Sequence, residues 1–568
     1  HYAAKHPGEV RLSKMFPVSG EDVVTGFVLR APFFYGLDNV IGALSEGKNP
    51  PPESALPMTP AGRDPQQNGS NGFALAPKKM ADGKTWLVSN SHQPYEGSVA
   101  WYEAVIHSGE GLDMAGATFP GAPFILLGHN RNLGWTNTVN RPDLIDVYKL
   151  VMDRSGDKYR YDGKWLPLQK ERVWLPVKFG PFALPIPQTV HRSVHGPVII
   201  NDQGAFAVRY AGIDNAKAVE QYYRNMKAAN WDQWSKSMSI GGITATNFIY
   251  ADKSGKIALI YNALFPDRKA GFDYTKVLPG DTSAAVWAGP VGFDRFPKVV
   301  DPASGFVHNE NNTPFLGAGK GSEMNPAEWS PLLGIETNMT NRAIRADELL
   351  SADPLLTREE LLTIKFDKAY SKRSFAGDWM AALLAAKVKE PDLMAAQKLL
   401  ASWDWSSDGK GAADAFAERI LRIAMIARWR HQPLPPAQKA LREAVDDMKA
   451  RFGRIDPPLA EVQRLERGKV SLPMFGGTDT LRATSRWDKD APSRKGRVMH
   501  GDSFIMLVRW DQSGKVVSES IQPYGAATNR PKSPHYTDQM PLFAAEKFKP
   551  VHFEWADVVK QAKKRYRP

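Results

Sequence analysis

The sequence predicts an α+β fold: one interwoven unit in which a helical block is inserted between two sheet-forming regions. Three observations carry this. From Gly72 onward short apolar segments recur at strand spacing. Residues 342–455 switch to a helical period. After Leu472 the strand pattern returns, as in Phe504-Ile505-Met506-Leu507-Val508. A separate helical domain would more often sit at a chain end, so the return to strands favours an insertion.

Taken in order, residues 20–45 carry helical spacing of Val, Phe and Leu, interrupted at Pro32. Residues 49–69, opening with Asn49-Pro50-Pro51-Pro52-Glu53, read as a linker. Phe73-Ala74-Leu75 and Trp86-Leu87-Val88 flank a turn at Asp82-Gly83, the pattern of a β-hairpin. Further strands are predicted at 99–107, 123–128, 146–151, 172–178, 189–200, 206–211, 246–251 and 257–261. One helix is predicted from Ala216 to about Ser239, with Val219, Tyr222, Tyr223, Met226 and Trp231 in step. In the helical block Leu349-Leu350, Leu361-Leu362, Met380, Leu383-Leu384 and Ile420-Leu421 keep the period, and sheet is predicted again over about 472–545.

Composition excludes several classes. The 568 residues are 42% hydrophobic and 24% charged, as in a globular protein with a sizeable core. No run of about 18 apolar residues predicts a membrane span. The net charge of +12 is scattered rather than massed on one element, which argues against nucleic acid and fits a basic periplasmic or secreted protein. There is no cysteine, so disulfides, thiolate-bound zinc and thiol catalysis are absent together. The chain starts at His1, within what reads as a helix, and is expected to be a fragment or processed product.

The segment Asn68-Gly69-Ser70-Asn71-Gly72-Phe73-Ala74-Leu75 holds the candidate nucleophile. A cut between Gly69 and Ser70 would put a hydroxyl and a free α-amine, of pKa about 7.7–8.0, on one residue. A serine hydroxyl is a weak nucleophile that needs such a base. The predicted hairpin brings Asn90-Ser91-His92-Gln93-Pro94 alongside, with His92 near Ser70. Gly501-Asp502-Ser503-Phe504 is similar to the Gly-Asp-Ser start of some esterases. It precedes a late strand here rather than opening an α/β domain, and is set aside.

The Ser70 segment, followed by Asn90-Ser91-His92, resembles the β-chain start of the penicillin acylase family, self-cleaving N-terminal-nucleophile amidohydrolases that include acyl-homoserine lactone acylases. The likeness continues through Gly116-Ala117-Thr118-Phe119-Pro120-Gly121 and Gly128-His129-Asn130-Arg131-Asn132-Leu133-Gly134-Trp135-Thr136-Asn137-Thr138-Val139. It extends through Asn309-Glu310-Asn311-Asn312, Asn341-Arg342-Ala343 and Ser533-Pro534-His535-Tyr536-Thr537-Asp538-Gln539.

The resemblance implies a four-layer αββα fold. Residues 1–48 would be the C-terminal part of an α-chain, 49–69 a spacer lost or cut on maturation, and 70–568 the β-chain, giving a heterodimer from one precursor. Ser70 would attack the amide, with its own α-amine taking the proton. The backbone N–H of Val139 and the side chain of Asn311 would stabilise the oxyanion, a role in which each donor is worth about 3 kcal/mol. The choice among Asn309, Asn311 and Asn312 stays open. His92 would orient the nucleophile, and Arg342 would hold the asparagine and the terminus. Trp135 would pack beneath the site.

Phe33, Phe34, Tyr35, Gln93 and Asn137 are the candidate substrate-binding residues. Gln93 stands where many relatives carry an aromatic, which leaves the acyl preference open. No cofactor is required for the chemistry. Asp143 and Asp146, three residues apart, could share a hard cation through oxygen ligands. They fall where relatives bind a structural calcium, to which Pro266 would add a carbonyl and Glu323 is the nearest further carboxylate; an ion pair is the alternative. The expected substrate is a small N-acyl amide. Acyl-homoserine lactones are the first choice, as in quorum quenching. Penicillins, cephalosporins or lipopeptides, as in antibiotic resistance, are the second, and an unprocessed binding protein on the same scaffold is the remote one.

Overall fold

The protein is described by a computed structural model covering residues 17–30, 35–47, 69–180, 182–429, 432–487, 496–511 and 513–565. The first elements among the described residues are two short helices, α1 (Gly20–Arg30) and α2 (Leu37–Ser45); the interruption expected at Pro32 lies outside the described residues. The strands that build the site are β1 (Gly69–Leu75), β2 (Thr85–Pro94), β3 (Tyr102–Ser108), β4 (Leu112–Thr118), β5 (Leu127–His129) and β6 (Leu133–Thr138). Later in the chain follow β7 (Ala245–Asp252), β8 (Ile257–Ala263), β9 (Lys298–Val300), β10 (Phe306–Asn309), β11 (Gly496–Trp510) and β12 (Val516–Ile521).

One sheet of nine strands runs through β10, β1, β2 and β11, with β12 also on β11. A second sheet of seven strands has the order β9, β8, β7, β6, β5, β4, β3. The two face each other. Ala74, Leu87, Met506 and Val508 of the first pack on Ala115, Ala117, Ile249 and Leu259 of the second, all buried. The approach is closest at Gly72, where an added Cβ would lie 2.8 Å from Ile249 Cδ1 and 2.9 Å from Thr136 Cγ2.

Alternation turns the other face of β1 outward toward helices, so the whole strand is buried. Phe73 and Leu75, with Trp86 and Val88, meet Ala346, Leu350, Leu361 and Ile364. Burial contributes about 1.5–3 kcal/mol for each such large apolar side chain. Beyond the second sheet lie α3 (Ala218–Lys227) and α4 (Trp231–Met238), whose Tyr222, Met226 and Trp234 pack with Trp135, Phe248 and Tyr250. Helix, sheet, sheet and helix thus form four layers, with α5 (Asn341–Ala352) and α6 (Arg358–Lys365) opening the helical insertion, which runs to Val462.

Three expectations change. The single helix over 216–239 is two, because Asn230 adopts an extended conformation and caps α4, its Oδ1 accepting from Gln233 N at 3.0 Å. The segment 189–200 belongs to two strands, Phe182–Ser193 and Gly196–Asn201. Strands β4 and β6 were not anticipated. Their small residues lack a strand signature because the backbones nearly touch: a Cβ on Gly116 would lie 2.1 Å from Leu127 O. The linker falls almost wholly outside the described residues, which resume at Gly69.

Candidate active site

The hairpin register places the candidate nucleophile. Ser70 lies opposite Ser91 and Gly69 opposite His92, while β10 joins β1 only from Gly72 onward. In the uncut chain the Ser70 nitrogen is an amide, and it donates to Asn311 Oδ1 at 2.7 Å. The Ser70 hydroxyl donates to the Gly69 carbonyl oxygen at 2.5 Å, beside the bond that maturation would cut. Space around Gly69 is scant: an added Cβ would lie 2.9 Å from Asn311 Oδ1 and 3.3 Å from His92 Nδ1.

Arg342 stands in the first turn of α5, started by Thr340, whose hydroxyl caps the Ala343 N–H. Its guanidinium is buried and fully employed. Nη1 donates to Ser70 O at 2.8 Å and Asn71 Oδ1 at 2.7 Å, Nη2 to Asn311 Oδ1 at 3.0 Å, and Nε to Asp479 Oδ1 at 2.9 Å. Two donors converging on Asn311 Oδ1 fix which end of that amide is oxygen. Its Nδ2 donates to Val139 O at 2.8 Å, leaving the second hydrogen of the NH2 for a ligand beside the Val139 peptide. Asn311 holds φ 63°, a left-handed conformation that asparagine tolerates better than most residues.

The register of Val139 and Asn311 is set from behind by Asn309. Its Oδ1 accepts from Thr138 Oγ1 at 2.5 Å, from Asn247 Nδ2 at 3.0 Å and from the Asn311 N–H at 3.0 Å. Thr138 and Asn247 belong to the second sheet and Asn309 to the first, so one buried amide ties Val139 to Asn311 across the sandwich. This separates the three asparagines. Asn309 is structural, Asn312 turns to the Thr313 and Leu316 carbonyls, and Asn311 alone faces Ser70.

His92 makes no recorded hydrogen bond to the Ser70 hydroxyl. Its Nε2 lies 3.1 Å from Asp502 Oδ1, and its Nδ1 points toward Gly69. Burial pushes its pKa down to about 4, against the pull of Asp502, so the ring is neutral at neutral pH. Asp502 itself is buried. Desolvation opposes its charge, but Lys365, His92 and Arg482 more than offset this and hold the carboxyl well below its usual range. Lys365 Nζ lies 3.1 Å and Arg482 Nη1 2.8 Å from Asp502 Oδ2. Burial brings the Lys365 pKa down to about 8 despite Asp502.

Ser70 opens on a cavity of about 730 Å³ with apolar walls that include Trp101, Phe119, Leu126, Leu127 and Ile243. Gln93 and Asn137 line it, with Val18, Val23 and Gly26 at its α1 side. Tyr35 does not: it is buried in the apolar core, its hydroxyl donating to Ala211 O at 2.6 Å. Its neighbours Phe33 and Phe34 lie outside the described residues.

Asp143, Asp146 and Pro266 also come together, around a guanidinium rather than an open cage of oxygens. Arg268 Nη2 lies 3.0 Å from Asp143 Oδ1 and 2.8 Å from Asp146 Oδ1. Asp146 Oδ2 accepts from Trp287 Nε1 at 2.6 Å and Arg268 Nε at 3.2 Å, and Pro266 O accepts the Arg268 N–H at 2.8 Å. Burial raises the Asp146 pKa to about 6 even so. Glu323 is used elsewhere, accepting from the Gly317 and Ala318 N–H groups. Among the described residues no three His, Cys, Asp or Glu side chains converge as a metal site. As arranged, this donor set does not fit calcium, and the ion-pair alternative describes it.

Two residues of the site escaped sequence reasoning. Asp502 sits in the segment set aside as esterase-like, and Asp479, the partner of Arg342, lies in a glycine-flanked loop without a motif. Only pairing between distant parts of the chain reveals either.

A family profile described as penicillin amidase matches residues 3–560. The chain is 25% identical over 547 residues to the acyl-homoserine lactone acylase PvdQ of Pseudomonas fluorescens (strain Pf0-1), covering 85% of this chain and 68% of that protein. It is 29% identical over 342 residues to penicillin G acylase of Escherichia coli, covering 57% of this chain and 38% of that one. The structure of a thermostable penicillin G acylase from Alcaligenes faecalis matches with TM-score 0.63 at 20% identity, over 88% of this chain and 99% of that one. That likeness establishes the N-terminal-nucleophile hydrolase fold. The chain belongs to the penicillin amidase family, enzymes that hydrolyse amide bonds.

Proposed function

We propose that this chain matures by cutting itself before Ser70 and then removes an apolar acyl group from an amine through a Ser70 ester. The observation that carries the reading is the convergence of Ser70, Asn311, the Val139 peptide and Arg342 at the mouth of a large apolar cavity.

In maturation Ser70 Oγ attacks the Gly69 carbonyl carbon. The C–O bond forms as the C–N bond breaks, the nitrogen gains a proton, and water hydrolyses the resulting ester. The freed α-amine is left facing Asn311 Oδ1 and His92 Nδ1, with a reference pKa of about 7.7–8.0. In turnover that amine takes the Ser70 hydroxyl proton, directly or through a water, as Oγ attacks the substrate amide. The oxyanion is met by the Val139 N–H and the spare Asn311 Nδ2 hydrogen. The leaving amine departs with the proton, and water cleaves the acyl-enzyme by the same route. His92, neutral and oriented by Asp502, positions the amine rather than serving as the principal base.

Acyl-homoserine lactones are the preferred substrates. The cavity volume lies in the range of small-molecule sites. Each methylene buried there contributes about 0.8 kcal/mol, so turnover should rise with acyl length until the space is filled. The tilted Trp101–Phe119 pair, with ring centroids 4.4 Å apart, favours aromatic acyl groups such as those of β-lactam side chains as a second reading. A periplasmic or secreted location fits a basic chain without cysteine, and among the described residues no helix is long and apolar enough to cross a membrane.

The test is a panel of acyl-homoserine lactones and penicillins scored for released amine, with wild type and Ser70→Ala. Wild type should turn over one class, and Ser70→Ala should lose both turnover and chain cleavage. Retained turnover in Ser70→Ala would overturn the mechanism.

A further inference from the structure

Gln93 is a polar group built into the acyl-binding wall with its side-chain oxygen unpaired. It follows His92 on β2 and is two residues beyond Ser91, the residue opposite Ser70. Alternation puts Ser70, Ser91 and Gln93 on one face of the sheet, with Gln93 about 7 Å along the strand from Ser91. All three line the cavity. The side chain is buried at 7% exposure, and its Oε1 has no hydrogen-bond partner. Its backbone, by contrast, is pinned. The Gln93 N–H donates to Ser503 Oγ at 3.0 Å, and Ser503 Oγ donates to Ser91 O at 2.8 Å. Ser503 is the extra residue of a β-bulge in β11, where Ser91 faces Phe504 and His92 faces Asp502. The bulge therefore fixes both the dyad behind Ser70 and the carboxamide ahead of it.

A buried amide without a partner is costly, because its desolvation is not repaid. It persists at low cost only if something else satisfies it. Resting on the acylase reading, we propose that Gln93 selects acyl groups bearing a hydroxyl near the carbonyl, within the first few carbons of the chain. The position follows from the ladder, since Gln93 stands only two residues along from the residue opposite the nucleophile. The chemistry follows from the amide, which offers a donor and an acceptor. A hydroxyl is both, so it complements the carboxamide whichever way that group is turned. An unsubstituted chain would bury the amide against methylenes and leave it unpaired. Discrimination of this kind arises because the wrong substrate leaves a buried polar group of the site unpaired.

The test compares kcat/KM for decanoyl- and β-hydroxydecanoyl-homoserine lactone, using wild type and Gln93→Met. Methionine keeps the length of the side chain and removes its hydrogen bonding. Wild type should favour the hydroxylated substrate by about tenfold to a hundredfold. In Gln93→Met the ratio should collapse toward one, chiefly because the unsubstituted substrate improves. A wild-type ratio within about twofold of one overturns the proposal without recourse to any variant. So does a preference that survives in Gln93→Met with the Ser70 terminus correctly formed. Failure of wild type to cleave either lactone or any penicillin would instead sink the acylase reading itself, so the two failures are distinct.

Discussion

Replacing Asp502 by asparagine removes one charge and almost no volume, and the structure lets its cost be worked out. Asp502 is buried and is the common partner of His92, Lys365 and Arg482. Taking away one member of a buried ion cluster costs about 3–5 kcal/mol, because the remaining charges stay desolvated. Against a typical total of about 5–15 kcal/mol, that is a large fraction. Arg482 keeps a weaker partner in Glu546 at 3.4 Å, whereas Lys365 keeps no carboxylate that close among the described residues. The loss therefore carries a pH signature. Lys365 already titrates near 8 in the folded chain. An unfolded lysine titrates at about 10.4, so the unfolded chain binds more protons between these values and stability rises with pH across that window. Without Asp502 the folded pKa drops further and the window opens at lower pH. The deficit of Asp502→Asn should thus be greatest at about pH 6 and shrink toward about pH 9. Calorimetric unfolding of both proteins at the two pH values measures it. Maturation should slow as well, because His92 loses its orienting carboxylate. A variant within about 0.5 kcal/mol of wild type at both pH values would refute the reasoning.

Thr138→Val removes one strut of the Asn309 bridge without changing shape. It should lower kcat by about tenfold with KM little changed, since the oxyanion donors act in the transition state; steady-state kinetics decides. Gly69→Val should leave the precursor uncut on a denaturing gel, because any Cβ there would lie 2.9 Å from Asn311 Oδ1 and crowd His92. Exhaustive chelation should leave the unfolding temperature and activity unchanged, as Arg268 already supplies the positive charge between Asp143 and Asp146. Arg268→Ala should unfold at markedly lower temperature.

What the sequence disclosed was what is local. Alternation in Phe73-Ala74-Leu75 and Trp86-Leu87-Val88 specified the hairpin, and with it the pairing of Ser70 with the His92 end of β2. The roles proposed for Val139, Asn311 and Arg342 come from the family likeness, because a backbone donor or a buried guanidinium has no compositional mark. Long-range charge pairing was invisible: Asp502 meets Lys365, and Asp479 meets Arg342, each across 137 residues. The same blindness affected the metal question. Two acids three residues apart look alike whether they hold calcium or an arginine 122 residues away. Tyr35 reads as a pocket wall in the sequence, yet packs in the core, because a segment that lines a cavity and one that packs in a core share the same apolar pattern.

The most direct measurement is the intact mass and N-terminal sequence of the purified, active protein. The account predicts a polypeptide beginning Ser70-Asn71-Gly72. Active protein with an unbroken chain through position 70 would contradict it.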